Sequence, residues 1–319
     1  MKYPNFYSNH IESVICRYNE ARNQIKNAAA FIFFTDIHLN MNALSSVPMI
    51  KRIGQATDVK TVLCGGDFPT AFGSENQCIF SLENALCYIS DVKETMNLYV
   101  ARGNHDATIV DSREHFVEHV IPYEVVQPLF AACNSPANGA VKDRLYLYAD
   151  DPVTKTRYVI LDTSEYHLIP DADPKDRHGM TKEQLHWLQN TALHFNDGEG
   201  WSVVIMGHIP CCNQIPSHCD FPGLNEILRD FKNKTGAFFS SKAELVMYLC
   251  GHNHTDAHAY ESGVLHVSTS CDAYYKDGGL TRMVGTENES LFDLFLIDKD
   301  KKTIQVFRVG AGSDRQFTY

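Results

Sequence analysis

Five short apolar runs in this chain end alike, each giving way to a turn, usually marked by glycine, and then to residues able to bind a metal. They are "FFTDIH" with Asp36 and His38, "LCGGD" with Asp67, "VARGNHD" with Asn104 and His105, "VIMGH" with His208, and "LCGHNH" with His252 and His254. Each run reads as a β-strand. In α/β sheets the loops at the carboxyl edge of the strands are where ligands bind, so residues far apart in sequence converge on one spot.

Helical patterns separate the runs. From Asn9, the apolar residues Ile11, Val14, Ile15, Tyr18, Ala21, Ile25 and Ala28 recur at spacings of three and four, with Asn9 and Glu12 placed to cap the start. Ile79, Leu82, Leu86 and Ile89 form another stripe, as do Leu224, Ile227, Leu228 and Phe231. Thr181 and Gln184 read as a capping box before Leu185, Leu188, Ala192 and Phe195. "RYVILDTS" predicts a further strand, and "SLFDLFLID" with "KKTIQVFRV", joined by a charged turn, predicts an antiparallel hairpin. The segments from Asp111 to Arg144 and from Cys211 to Gly223 read as loop excursions. No repeat and no linker rich in Pro, Gly or Ser interrupts residues 1–319, which are expected to form one domain with an N-terminal helix and a C-terminal β-hairpin.

Composition narrows the function. A chain of 319 residues, 44% hydrophobic and 21% charged, can bury a substantial core. Its longest apolar candidate, "AAAFIFF", falls well short of the roughly 18 residues of a membrane span, so it reads as a core strand. The first thirty residues mix Glu, Arg, Asn and Lys among apolar ones and carry no signal-peptide pattern, so the expected location is cytoplasmic. The ten cysteines are scattered without a CxxC pair, as suits small buried residues in a reducing compartment. A net charge of −11 argues against nucleic acid as a partner, although it leaves phosphate chemistry open, because bound cations supply positive charge locally.

The residue types at the five strand ends also belong together chemically. Carboxylates, imidazoles and a side-chain amide suit Zn, Mn, Fe or related ions without any thiolate. Two such ions, about 3.5–4 Å apart, need a ligand that touches both, and a carboxylate has the two oxygens for it. Asp67 is the natural candidate.

The ordered set D-x-H, G-G-D, G-N-H-D, G-H and G-H-N-H, running from Asp36 to His254, resembles the motif series of calcineurin-like metallophosphoesterases. The helix "GMTKEQLHWL" between the third and fourth motifs is similar to one in many members. The resemblance implies an α/β fold, a four-layer α/β/β/α sandwich of two mixed sheets face to face with flanking helices and the metal site at the strand ends. It implies that Asp36, His38 and His254 bind one ion, that Asn104, His208 and His252 bind the other, and that Asp67 bridges them. His105 matches the family's proton donor to the leaving group. Two divalent or trivalent ions (Mn, Fe or Zn) would thus serve a phosphoesterase in which a metal-bridging hydroxide attacks a phosphomonoester or phosphodiester. The second motif continues as "GGDFPTAFG", without the Asp-Arg pair of protein phosphatases, which favours a small or nucleotide-like substrate.

Alternatives come from the same residues. A Mn-dependent nuclease of the DNA-repair type shares several motifs, but the acidic balance and the lack of a basic tail weigh against it. A non-catalytic scaffold of the same fold would be expected to lose ligands, and none is missing here. Asp106 either orients His105 or caps a following turn, and Asp162 and Glu165 either approach the pocket or cap a strand end. His258 reads as a surface or partner-strand residue. His218 with Cys211, Cys212 and Cys219 has a spacing that fits no zinc pattern.

Overall fold

The structure is a computed structural model that describes residues 2–39, 42–70, 72–106, 108–110, 117–169, 178–273 and 279–319. Its strands are β1 (Ala28–Phe34), β2 (Thr61–Cys64), β3 (Asn97–Val100), β4 (Thr108–Val110), β5 (Val117–Val120), β6 (Leu147–Asp151) and β7 (Thr156–Ile160) in the first half. In the second half are β8 (Ser202–Met206), β9 (Glu244–Cys250), β10 (Ala257–Glu261), β11 (Val264–Ser268), β12 (Leu291–Asp298), β13 (Thr303–Gly310) and β14 (Arg315–Thr318). The helices are α1 (Ser8–Arg22), α2 (Ala43–Ala56), α3 (Glu75–Ile89), α4 (Tyr123–Cys133), α5 (Lys182–Trp187) and α6 (Leu224–Asn233).

Two sheets of six strands form, in the orders β14-β13-β12-β1-β2-β3 and β10-β11-β9-β8-β7-β6, with β4 and β5 as a separate ribbon. Both sheets are mixed: β1-β2-β3 and β7-β8-β9-β11 run parallel, and the remaining neighbours run antiparallel. Alternation along β1 shows how the layers arise. Phe31 and Phe33 join Leu63, Ile160, Val204, Leu249 and Phe295 in the core between the sheets. Ile32 and Phe34 point the other way, to Ile11, Ile53, Leu82 and Phe130 of the helices α1 to α4. Covered on both faces, β1 is apolar at every position. On the far side, Leu188, Leu228 and Phe231 cover Val159, Val203 and Ile205 of the second sheet. The result is the four-layer α/β/β/α sandwich, two mixed sheets face to face.

The hairpin expected at the end forms from β12 and β13, with Leu291 opposite Gly310 and Asp298 opposite Thr303. Other expectations shift. The first helix starts at Ser8 as a continuation of the 3-10 turn Asn5–Tyr7, so Asn9 lies inside it and caps nothing, and Ile25 and Ala28 fall beyond its end at Arg22. Thr181 does cap α5, its hydroxyl accepting Gln184 N–H at 3.2 Å, but Thr181 N–H is taken by Glu165 Oε2 at 2.9 Å instead of by Gln184.

Two helices carry no clear sequence signal because each contains a proline, Pro48 in α2 and Pro128 in α4. Proline lacks the N–H that would bond four residues back. At Pro48 the carbonyl so deprived is that of Leu44, and Tyr88 Oη of α3 donates to it instead. The segment from Asp111 to Arg144 is therefore not a simple loop: residues 111–116 lie outside the described residues, and β5 and α4 occupy much of the remainder. The segment 211–223 has turns and neither helix nor strand. Among the described residues no helix is long and apolar enough to cross a membrane.

Candidate metal centre

Asp36 and His38 follow β1, Asp67 follows β2, Asn104 and His105 follow β3, His208 follows β8, and His252 and His254 follow β9. Parallel pairing of β1 with β2, of β2 with β3, and of β8 with β9 aligns the carboxyl ends of these strands within each sheet, and their turns meet at one edge of the sandwich. The turns are tight. Asp36, His38, Asp67, His252 and His254 all adopt left-handed backbone, with φ of 54°, 42°, 57°, 71° and 52°. Such a conformation costs a residue other than glycine roughly 1 kcal/mol or more, and strain of this kind gathers at functional sites.

Hydrogen bonds from one turn to the next hold the strained residues in place. Asp36 N–H donates to Gly66 O at 3.0 Å and His38 N–H to Asp67 O at 3.1 Å. His252 N–H reaches Asp36 Oδ2 at 3.1 Å, and His105 N–H reaches Asp67 Oδ1 at 2.8 Å. The glycines between strand and donor have a steric role here: a Cβ on Gly103 would strike the Asp67 carboxylate, and one on Gly251 would strike that of Asp36.

The donors form two groups that share a member. Asp36, His38, Asp67 and His254 present ligand atoms within 4.8 Å of one another, and so do Asp67, His208 and His252. Asn104 joins the second group, with Oδ1 at 3.1 Å from His208 Nε2. The chemistry of these contacts asks for a cation. His208 Nδ1 lies 2.7 Å from Gly65 O, which makes it the proton-bearing nitrogen and turns Nε2 toward Asn104 Oδ1 and, at 3.3 Å, Asp67 Oδ2. His38 Nδ1 lies 3.1 Å from Pro69 O, and its Nε2 faces His254 Nε2 at 3.2 Å. Asp36 Oδ1 is buried and lies 3.2 Å from His254 Nε2. Oxygen and nitrogen donors thus converge on one space at the sheet edge, and the residues present fit a pair of metal ions.

Electrostatics agree. Burial opposes charge on Asp67, yet the imidazoles of His208, His105 and His38 hold its carboxyl well below the usual range. Burial likewise opposes protonation of His208, but the Asp67 and Asp36 carboxylates raise it to about 9. His38 is pushed down to about 4 by burial, and His252 is lowered by burial and by His208. Two buried carboxylates therefore draw positive charge into the centre.

His105 stands at the mouth, its side chain 21% exposed, with Nε2 at 4.0 Å from Asp67 Oδ2. Its Nδ1 lies 3.0 Å from Thr70 O. Asp106 plays neither of its expected parts: it accepts backbone N–H groups from Asp67, Phe68 and Gly103 and so clips two turns together. Asp162 and Glu165 are buried supports, Asp162 accepting from Arg102 Nε at 3.1 Å and Glu165 holding the start of α5. His258 is an exposed residue of β10 whose ring meets Phe317 at 5.0 Å. His218 is exposed, and among the described residues no metal-type grouping includes it. Two neighbours of the centre escaped the motif reading. The His178 ring stands 5.4 Å from that of His252, and the exposed Phe72 ring 6.5 Å from that of His105. Neither lies in a motif, so no signal marked them.

The sandwich and the clustered donors at its edge define the class: a two-sheet α/β protein with a candidate binuclear metal site. A family model for calcineurin-like phosphoesterases matches residues 29–256, and the chain belongs to that family. Among solved structures it is similar to a dimetal phosphatase from Danio rerio, with 14% identity and a TM-score of 0.63, covering 91% of this chain and 98% of that one. It is also similar to GAP50, the anchor in the inner membrane complex of Plasmodium, with 12% identity and a TM-score of 0.55 over 92% and 89% of the two chains. A putative 5'-nucleotidase from Staphylococcus aureus matches at 12% identity and a TM-score of 0.50, over 91% of this chain and 54% of that one. At such identities the likeness shows the fold. No curated protein sequence matches the chain.

Proposed function

We propose that the chain is a phosphoric ester hydrolase that works with two transition-metal ions of the Mn, Fe or Zn type on a small phosphomonoester or phosphodiester, in the cytoplasm. The observation that carries this reading is the position of Asp67 as the carboxylate common to both donor groups. Asp36, His38 and His254 would hold one ion, Asn104, His208 and His252 the other, and Asp67 both. When bound, such a pair neutralises phosphate oxygens and acidifies water enough to supply a nucleophile near neutral pH.

The protein's own groups do the rest. The left-handed turns pre-place the donors, so binding requires little rearrangement. His105, with Nδ1 bonded to Thr70 O, directs Nε2 into the centre, where its proton passes to the departing alkoxide oxygen. Its partial exposure lets it regain a proton from solvent.

Hydrolysis of p-nitrophenyl phosphate and of its bis-ester by the metal-loaded chain tests the reading. Turnover of at least one ester, lost on chelation and restored by Mn, Fe or Zn, supports it. Inertness toward both, with metal shown to be bound, removes it. Cleavage of single-stranded DNA in preference to both esters, persisting across a salt series, would favour the nuclease instead.

A further inference from the structure

Away from this centre, the loop after β8 and the β10–β11 hairpin bring together a second set of donors. Cys212 Sγ, a carboxylate oxygen of Glu261 and a ring nitrogen of His266 all lie within 4.8 Å of one another. Strand register explains the meeting. Ala259 pairs with His266 and Glu261 with Val264, so these four side chains share one face of the hairpin. The loop crosses that face, with Cys212 and Ile215 packed on Ala259. Cys212 and His266 are both buried.

Two facts separate this cluster from ordinary polar packing. Glu261 Oε2 is buried with no hydrogen-bond partner, an arrangement that costs about 1–3 kcal/mol when nothing binds the oxygen. The neighbouring His266 ring is desolvated and held uncharged, pushed down to about 4 by burial. It therefore brings no positive charge to the carboxylate and has a lone pair to offer. A thiolate and a carboxylate together carry two negative charges, which one divalent ion cancels.

We propose that Cys212, Glu261 and His266 form a mononuclear site for a zinc-type divalent cation, separate from the binuclear centre. The donor set of thiolate, carboxylate and imidazole suits zinc, whose tetrahedral ligands at 2.0–2.3 Å stand about 3.3–3.8 Å apart. Closing from the observed separations takes a movement on the order of 1 Å. A cavity of about 150 Å³, lined by Glu261 and His266 together with Asn225 and Arg229, opens beside two of the three donors. On binding, the ion gains bonds to the three side chains and the Cys212 thiol releases its proton to solvent. The cation ties the loop that follows His208 to the hairpin that follows His254, and so braces both.

Cobalt(II) tests the site on the full chain after chelator treatment. The donors of the binuclear centre include no sulfur, so a thiolate-to-cobalt charge-transfer band reports cobalt bound at cysteine and not at that centre. The native chain should develop the band and saturate it, and Cys212→Ser should abolish it. Glu261→Gln, a change on a half-buried side chain at a strand end, should keep the native circular dichroism and weaken the cobalt affinity read from the band by at least about tenfold. A native chain without the band overturns the site. So does a band that survives Cys212→Ser, which would come from exposed thiols such as Cys16 or Cys87. Glu261→Gln titrating like the native chain overturns it as well.

Discussion

The backbone N–H of Asp67 donates to Asp106 Oδ2 at 3.0 Å, so a carboxylate outside the donor groups sets the turn that presents the shared donor. Phe68 N–H reaches Asp106 Oδ1 at 2.7 Å and Gly103 N–H reaches Oδ2 at 2.6 Å. One buried side chain therefore fastens the turn after β2 to the turn after β3. Asp106→Ala strands three buried N–H groups and is expected to lower stability by on the order of 3–5 kcal/mol, and to lower the metal retained per chain. Denaturant titration and elemental analysis check both. A variant as stable as the native chain and equally loaded would show that the clip is dispensable.

Removing the imidazole at the mouth should act on rate and leave metal in place. His105→Ala is expected to slow ester hydrolysis by about 10²–10⁴-fold, most on esters with poor leaving groups, because the lost contribution is a proton to the departing oxygen. Steady-state kinetics on esters of graded leaving-group pKa checks this. An equal loss on good and poor leaving groups would assign His105 another role.

Glu165 supports α5 through a single oxygen. Its Oε2 accepts Thr181 N–H and Oγ1 at 2.9 Å each and Gln184 Nε2 at 2.6 Å, while Oε1 is buried without a partner. Burial, followed by the nearby Asp162, raises its carboxyl to about 7. The folded chain thus binds this proton more tightly than the unfolded chain does. The stability it contributes is complete below the ordinary glutamate value of about 4.3 and is lost as pH rises to about 7. Glu165→Gln keeps the shape and removes the titration. The native chain should therefore lose stability relative to the variant by on the order of 3 kcal/mol across that window. Parallel stability curves in urea from pH 4.5 to 7.5 would contradict this.

Tyr88 and Pro48 should be coupled. Tyr88→Phe leaves Leu44 O without its donor and is expected to cost about 1 kcal/mol. In a Pro48→Ala background the restored N–H at position 48 takes that carbonyl, and the same change should cost measurably less. A double-mutant cycle in urea decides, and identical costs in the two backgrounds would separate the residues.

What the sequence shows and hides follows from range. β1, β2, β3, β8 and β9 are legible because strands buried on both faces carry unbroken apolar runs, complete in β1 and preceded by one polar residue in the others, and the polar residues that follow them mark the sheet edge. α2 and α4 are hidden because proline is a local breaker, and the rescue at Leu44 comes from Tyr88, 44 residues away. The start of α1 differs from the expected cap at Asn9 because a 3-10 turn leads into the helix without a break in backbone angle. The meeting of Asp36 with His254 could be argued from strand ends alone, whereas the left-handed turns that aim them could not. Asp106 gave no clue to its partners, since all of them are backbone N–H groups. The cluster of Cys212, Glu261 and His266 depends on hairpin register and on a loop folding over it, and neither leaves a spacing pattern.

Metal content per chain, measured by elemental analysis on the native protein and on Asp67→Ala prepared side by side with manganese, iron and zinc supplied, bears most directly on the binuclear centre. Because both donor groups depend on this one carboxylate, the native chain should carry roughly two ions more than the variant. The same metal content in the two proteins would contradict the shared bridge and the hydrolase built on it.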